Sequence, residues 1–201
     1  MNRILKSISF VFHPLIIPIL GVIFYFSKSP RYIPFEIIKA KLISIFILTV
    51  VLPILLYFLL KTLGKAKSIY LESTKERVLP LIVNCVVVLL VLNRILTTDQ
   101  ILELYYFFVG ILVSTLACLI LVILRFKASI HMISIGGLLM FFIAISIHFS
   151  ININGTLAIM SILTGAIATS RLHLKAHTYT ELLIGFIIGF IPQLILLKYW
   201  L

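Results

Sequence analysis

The sequence predicts an all-α fold, a polytopic transmembrane helix bundle with six to seven spans. Its residues are 62% hydrophobic and only 11% charged, whereas a soluble domain carries roughly 25% charged residues. The apolar residues also form long blocks, which excludes an outer-membrane barrel because barrel strands alternate lipid-facing and lumen-facing residues. We therefore expect one integral membrane domain over residues 1–201, with lipid as its solvent and no soluble appendage.

The apolar blocks give the candidate spans, because a helix needs roughly 17 to 25 predominantly apolar residues to cross a bilayer. Seven stretches are candidates: 8–27, 42–62, 80–97, 104–125, 131–149, 155–170 and 182–200. The sixth is short and rich in small residues, so six spans is the alternative count. The first follows a basic N-terminus that resembles a signal peptide. Because it is interrupted by His13-Pro14 and has no cleavage site, we interpret it as a retained span.

Counting the spans places the connections 63–79, 126–130 and 171–181 on one face of the membrane. That face holds Lys75, Arg77, Lys127, Ser129, His131, Arg171, Lys175, His177 and Glu181. The opposite face holds Lys28, Arg31, Glu36, Lys39, Lys41, Asp99 and Glu103. Histidine, serine and arginine side chains are therefore concentrated on one face, which is where we expect the functional site.

The charge distribution indicates which partners to expect. The formal net charge is +11, but the basic residues lie singly or in small groups beside apolar blocks, as they do around membrane spans. We expect membrane lipids, including anionic ones, as partners rather than nucleic acid. Cys85 and Cys118 lie inside apolar runs and are interpreted as buried free thiols. We expect no metal and no cofactor.

Local patterns predict two further structural features. Ser73-Thr74 before Glu76 is typical of a helix N-terminus, and it could cap a short interfacial helix or start the third span. Small residues in membrane helices let backbones approach closely. We expect this role for the glycines of the later spans: Gly136, Gly137, Gly165, Gly185 and Gly189.

The segment 170–181 combines the residue types of a nucleophilic site. His177 and Glu181 are four positions apart, so on a helix they share a face. Glu181 would then accept a hydrogen bond from one imidazole nitrogen, fix the tautomer and leave the other nitrogen able to attack. Arg171 precedes His177 by six positions, and its planar donors suit phosphate oxygens.

These residues resemble the third signature of the type 2 phosphatidic acid phosphatase superfamily, Ser-Arg-x5-His-x3-Asp, with Glu181 in the Asp place. The second signature, Pro-Ser-Gly-His, falls at 128–131, where Ser129 and His131 match and Pro and Gly do not. The first signature, Lys-x6-Arg-Pro, is represented by Arg77, with Tyr70 in the Lys position. The resemblance covers about 70–190.

The resemblance implies a metal-independent lipid phosphatase acting through a phosphohistidine. His177 would be the nucleophile, Glu181 its orienting carboxylate, and His131 the proton donor to the leaving oxygen. The residues implied to bind phosphoryl oxygens are Arg171, Arg77 and Ser129, with Lys127 or Lys75 supplying the missing ammonium. The substrate would be a lipid phosphate or diphosphate that enters sideways from the bilayer. The same resemblance implies a bacterial cytoplasmic membrane with a periplasmic active face.

Other functions remain compatible with the sequence. The missing Pro, Gly and Lys of the signatures are also expected of a catalytically inactive relative that binds or moves lipid, or scaffolds a membrane complex. A prenyl-transferring enzyme would need carboxylate clusters for magnesium, and the chain has only six acidic residues. A channel or carrier would need ionisable residues within its spans, and these are almost absent. His13 and His148 are interpreted as solvated or hydrogen-bonded residues.

Overall fold

The computed structural model describes residues 2–62, 73–97 and 101–201. These residues form nine α-helices and no strand: α1 (Asn2–Val11), α2 (Ile17–Lys28), α3 (Phe35–Phe46), α4 (Leu52–Thr62), α5 (Thr74–Arg94), α6 (Leu102–Ile123), α7 (Ile130–His148), α8 (Asn154–His173) and α9 (Tyr179–Leu196). A π-helical turn joins α3 to α4, and a short 3-10 turn follows α9. Asp99 and Tyr70 lie outside the described residues.

Six helices of the described chain are long and apolar enough to cross a membrane. They are the continuous α3–α4 rod, Phe35–Thr62, and then α5 to α9. The predicted polytopic helix bundle is therefore confirmed. The candidate span 155–170 was the doubtful one in the sequence, but it lies within the 20-residue helix α8.

The interruption lies instead in the first candidate span, 8–27. The chain leaves the helix between α1 and α2, where Pro14 lacks the N–H that a continuous helix needs. The 12 residues of α2 are about 18 Å long at 1.5 Å per residue, which is short for a hydrocarbon core of about 30 Å. The N-terminal segment nevertheless connects both ends of the bundle. His13 lies against His131 at the start of α7, while Tyr25 donates to Glu103 at the start of α6.

Two helices begin with a capping box, in which the cap side chain and a glutamate three residues later satisfy each other's backbone N–H groups. Ser73 and Glu76 start α5 in this way, so the predicted helix start at Ser73-Thr74 is confirmed. Thr178 and Glu181 start α9. The first turns of α5 and α9 are therefore fixed, and each carries a predicted site residue.

Helices α7 and α9 pack backbone to backbone through glycines. A Cβ on Gly189 would overlap the Ile133 carbonyl oxygen, and one on Gly185 would lie 2.8 Å from the Ser129 carbonyl oxygen. On α7, a Cβ on Gly136 would lie 2.7 Å from a carbonyl oxygen of α9. The prediction of close packing is confirmed at these positions. It is wrong for Gly165, around which the space is open.

A polar cluster connects the helices at the end of the bundle opposite His131. The carboxylate of Glu103 is fully buried and accepts hydrogen bonds from the Tyr25 hydroxyl, the Arg31 guanidinium and His148. Its ion pair with Arg31 is 2.7 Å long. Trp200 packs edge-on against His148. We call these five residues the Glu103 cluster; it joins the end of α2 to α6, α7 and the C-terminus.

The core of the bundle is mainly apolar. Cys85 and Cys118 are buried free thiols, as predicted. The largest fully buried side chains include Phe107, Phe108 and Phe141, which lie where α6 and α7 meet.

We expect Gly189→Ala to destabilise the bundle, because the added Cβ meets backbone atoms of α7 that cannot rotate away. Overpacking of this kind costs about 1–3 kcal/mol. The measurement is thermal unfolding in detergent. Gly165→Ala, in open space on α8, is the matched control and should unfold at or above the wild-type temperature, since alanine favours helix over glycine. Equal melting of the two variants would contradict the packing described here.

Candidate functional site

His177 lies in the connection between α8 and α9, buried at the entrance to α9. Its Nδ1 is 2.9 Å from Oε2 of Glu181, and a carboxylate only accepts hydrogen bonds. Nδ1 therefore carries a proton, and in the neutral ring Nε2 holds the lone pair. The same carboxylate oxygen accepts the backbone N–H of Thr178 at 3.1 Å, so the cap of α9 holds the partner of His177 in place. The predicted contact is confirmed, but the geometry differs from the expected shared helix face, because His177 precedes α9 and reaches Glu181 across the capping turn.

Two buried arginines lie near His177. Arg77 comes from the first turn of α5 and Arg171 from the last turn of α8. Nη1 of Arg77 donates to the Ala128 carbonyl at 3.0 Å, which ties α5 to the start of α7. Both guanidinium groups lie close enough to His177 for their charges to act on it. Among the described residues, Glu181 supplies one negative charge beside the two guanidinium groups and the amine of Lys127, so this end of the bundle favours an added anion.

These surroundings lower the pKa of His177 below its usual 6.5. Burial is the largest cause, and the positive charges of Arg77 and Arg171 act in the same direction. The hydrogen bond with Glu181 opposes them. The imidazole of His177 is consequently neutral at neutral pH, which is the state in which Nε2 is a nucleophile.

Ser129 links α7 to α9 at this end of the bundle. Its backbone N–H donates to the Glu181 carbonyl at 3.1 Å. Its side chain is fully buried, and Oγ has no hydrogen-bond partner among the described residues. A buried hydroxyl in this state costs roughly 1–3 kcal/mol. Ser129 is therefore suited to bond with an oxygen of a bound ligand.

His131 lies in the first turn of α7, within electrostatic range of Arg171 and His177. Its Nε2 is 3.1 Å from the backbone carbonyl oxygen of Ser9. The ring of His13 meets it edge-on, with 5.7 Å between the ring centroids. The two predicted histidines are thus brought into one cluster, and a third histidine joins them.

The two lysines predicted as phosphate ligands lie in different places. Nζ of Lys127 donates to the Ala176 carbonyl at 3.2 Å, directly before His177, so Lys127 holds the loop that carries His177. Lys75 is exposed and lines a separate cavity of about 490 Å³ with Arg125 and Val122, between α5 and α6. Of the eight predicted site residues, Lys75 is the one that lies apart from the cluster.

An apolar groove lies between α8 and α9. Helices α8 and α9 each pack on α7 but make almost no contact with each other. The gap between them holds a cavity of about 340 Å³, lined mainly by apolar side chains. The lining includes Met132, Ala168, Leu172, Tyr179, Leu182 and Phe186. Met132 and Leu172 are the chain neighbours of His131 and Arg171, so the groove lies near the cluster in the sequence of both helices.

Two residues of this region, Ser9 and His13, were not predicted to belong to the site, and Ser170, the Ser of the third signature, was given no role. Ser170 is fully buried, and its Oγ is 2.6 Å from Oγ of Ser9. The interpretation of His13 as an ordinary hydrogen-bonded residue overlooked its contact with His131. The available signal was His13-Pro14 itself, a polar break in an apolar run.

Comparison of the whole chain with protein-family models, with curated proteins and with solved structures finds no match.

We expect Arg171→Gln to raise the pKa of His177, because one of the two positive charges that disfavour the imidazolium is removed. A neighbouring charge shifts a pKa by roughly 1–3 units, and the measurement is a pH titration of histidine-labelled protein by NMR. Lys175→Gln is the matched control. It removes a positive charge from an exposed side chain of the same loop and should leave the titration unchanged. An unchanged pKa in Arg171→Gln would show that its charge does not reach His177.

Proposed function

We propose that this protein is a membrane lipid phosphatase that hydrolyses a phosphate monoester or diphosphate of a lipid through a phosphohistidine on His177. The observation that carries this function is the orientation of His177. Glu181 holds the Nδ1 proton, Nε2 keeps its lone pair, and two buried guanidinium groups lie beside the ring. This combination provides a nucleophile and a binding site for an anionic group at the same point.

The first chemical step transfers the phosphoryl group to the protein. The Nε2 lone pair of His177 forms a bond to phosphorus while the bond from phosphorus to the lipid oxygen breaks. His131 enters this step as the imidazolium, which the negative charge of the bound substrate favours. It gives one proton to the departing oxygen and becomes neutral, and that oxygen leaves as an alcohol or, from a diphosphate, as a lipid monophosphate. Arg77, Arg171 and the Ser129 hydroxyl donate to the phosphoryl oxygens, where charge stabilisation dominates phosphoryl transfer.

The second step releases inorganic phosphate. Water attacks phosphorus, the bond to Nε2 breaks, and His131 accepts the water proton, which restores the protonation states of both histidines. Glu181 keeps its hydrogen bond to Nδ1 throughout and stabilises the charge that His177 gains on phosphorylation. Lys127 contributes by holding the loop before His177 rather than by contacting phosphate.

Two further observations support this function. Three stretches that resemble the signatures of the type 2 phosphatidic acid phosphatase superfamily, around 77, 128–131 and 170–181, meet at one end of the bundle. The apolar groove between α8 and α9 would admit the hydrocarbon chain of a substrate whose headgroup reaches the arginines. Following the same resemblance, we assign the protein to a bacterial cytoplasmic membrane with the site on the periplasmic face.

A second function is favoured by a specific observation. Ala128 and Ile130 stand where the superfamily signature has Pro and Gly, and the amine of Lys127 is bonded to a backbone carbonyl. A relative that binds anionic lipid without hydrolysing it, and transports it or scaffolds a complex, would keep the arginines and lose these features.

The two functions are separated by phosphate release from purified protein in detergent with a chelator present. The panel contains phosphatidic acid, phosphatidylglycerol phosphate, a polyprenyl diphosphate and a lipid A phosphate. We expect release from at least one lipid, with a loss of about 10³-fold or more in His177→Ala, since removal of a nucleophile abolishes the covalent route. His173→Ala, an exposed histidine of the same region, is the matched control and should keep wild-type activity.

Protein incubated with a radiolabelled substrate and quenched in alkaline detergent should carry alkali-stable, acid-labile phosphate in the wild type and none in His177→Ala. Lipid binding without release from any member of the panel would reject the phosphatase and favour the inactive relative. Equal losses in His177→Ala and His173→Ala would place the chemistry elsewhere.

We expect Ala168→Phe to raise the KM for long-chain lipid phosphates, because the added ring fills the groove between α8 and α9. The KM for a short-chain, water-soluble analogue should stay the same, since its tail is too short to need the groove. Ile162→Phe, at an exposed position of α8, is the control. Equal effects on long and short substrates would show that the groove does not hold the tail.

A further inference from the structure

The N-terminal helix α1 is bound to the site by a chain of hydrogen bonds. The Ser9 carbonyl meets Nε2 of His131 at 3.1 Å. Oγ of Ser170, which precedes Arg171, is 2.6 Å from Oγ of Ser9 and donates to the Leu5 carbonyl at 2.6 Å. These contacts connect residues more than 100 positions apart, and both Ser9 and Ser170 are buried.

The protons in this chain can be assigned from the acceptors. A carbonyl oxygen has no proton to donate, so Nε2 of His131 is the donor to Ser9. The single hydroxyl proton of Ser170 is used on the Leu5 carbonyl, so the hydroxyl of Ser9 donates to Ser170. Neutral His131 is therefore the tautomer with its proton on Nε2, and Nδ1 is the nitrogen that exchanges protons.

We infer that α1 is a positioning element of the site, in which the Ser9 carbonyl orients His131 as Glu181 orients His177. The chemical consequence rests on the proposed function: His131 gives and takes its proton at Nδ1. Ser9 does not touch the reacting atoms in this arrangement. Its carbonyl acts on the orientation of His131. Its hydroxyl acts on the position of Arg171 through Ser170.

The group that orients His177 is a charged carboxylate, whereas the group that orients His131 is a neutral carbonyl. This difference in charge gives the two histidines different roles. A carboxylate stabilises a positive ring, as a phosphorylated histidine requires, whereas a neutral carbonyl does so only weakly. His131 therefore releases a proton more readily than it would beside a carboxylate. The charged or titratable groups that face it are Arg171 from α8, His177 from the loop before α9, and His13 from the turn before α2.

His13 completes the support of His131. Its Nδ1 accepts the Leu15 N–H at 3.3 Å, which fixes the ring in the turn between α1 and α2. The edge-on contact then limits rotation of the His131 ring. Burial and the charge of Arg171 lower the pKa of His13, so at neutral pH it adds no positive charge beside His131.

The first test is independent of catalysis. Nitrogen NMR of histidine-labelled protein in detergent distinguishes the two neutral tautomers, and His131→Gln identifies the His131 signals. In the wild type, we expect the proton on Nε2. In a chain lacking residues 2–11, and in the milder variant Ser9→Ala/Ser170→Ala, we expect a mixture of tautomers and a changed pKa. Phe10→Ala, at a neighbouring position that is 80% exposed, should match the wild type.

The second test measures phosphate release. Loss of α1 should lower kcat by about tenfold or more, since a misplaced acid-base group forfeits much of its 10²- to 10⁴-fold contribution. We expect KM to change less than threefold and the pH profile of kcat to shift, whereas a purely structural role would leave the profile in place. Ser9→Ala/Ser170→Ala should show the same pattern to a smaller extent, and Phe10→Ala none of it.

Higher activity without α1 would overturn the inference, because α1 would then be a cover over the site. Unchanged His131 signals in both variants would overturn it as well. If the wild type hydrolyses none of the lipids, the phosphatase is rejected, and the NMR signals alone decide whether α1 orients His131.

Discussion

The close contact between α7 and α9 is the constraint on which the rest of the site depends. At three glycines, Gly136, Gly185 and Gly189, there is no room for a side chain between the two backbones. This contact brings the first turn of α7 beside the first turn of α9, where the Ser129 N–H bonds to the Glu181 carbonyl. Ser129 and His131 then lie beside His177 and Glu181, because the starts of α7 and α9 are in contact. No long flexible loop has to hold the two pairs together.

Burying two arginines beside one carboxylate is costly, since each charge loses its hydration. Part of the cost is offset by the Ala128 carbonyl, which accepts from Arg77, and part by Glu181. The remaining positive charge is fixed before any ligand arrives. Binding an anion therefore requires little rearrangement of the protein, which is the property that a site for phosphoryl transfer needs.

The sequence was sufficient for the features that depend on local order. Apolar blocks predicted the spans, the capping box at Ser73 marked a helix start, and the four-residue spacing placed Glu181 on His177. Counting spans also assigned His131 and His177 to one face and Glu103 to the other. Each of these inferences uses a length or the local geometry of a helix start, and both are properties of a single stretch of chain. The expected shared helix face does not apply to His177, which precedes α9 and meets Glu181 through the cap.

The features that were missed depend on contacts between distant segments. Ser9 binds His131 through a backbone carbonyl, a group that every residue has and that no sequence pattern distinguishes. The break at His13-Pro14 predicted an interruption but not what its histidine would contact. In the sequence, Lys75 and Lys127 were equivalent candidates for a phosphate-binding ammonium group. Only the packing of the helices decides that Lys127 reaches the loop before His177 while Lys75 faces another cavity.

The Glu103 cluster has a consequence for how the protein is made. Synthesis proceeds from the N-terminus, so Arg31 enters the membrane region 72 residues before Glu103, and His148 follows Glu103 by 45. The carboxylate therefore finds its cationic partner already present, and the arrival of α7 adds His148. Helices α8 and α9 come last, and Trp200 then completes the cluster. The order of synthesis thus lets Glu103 meet Arg31 and His148 before the segment that carries His177 and Glu181 is made.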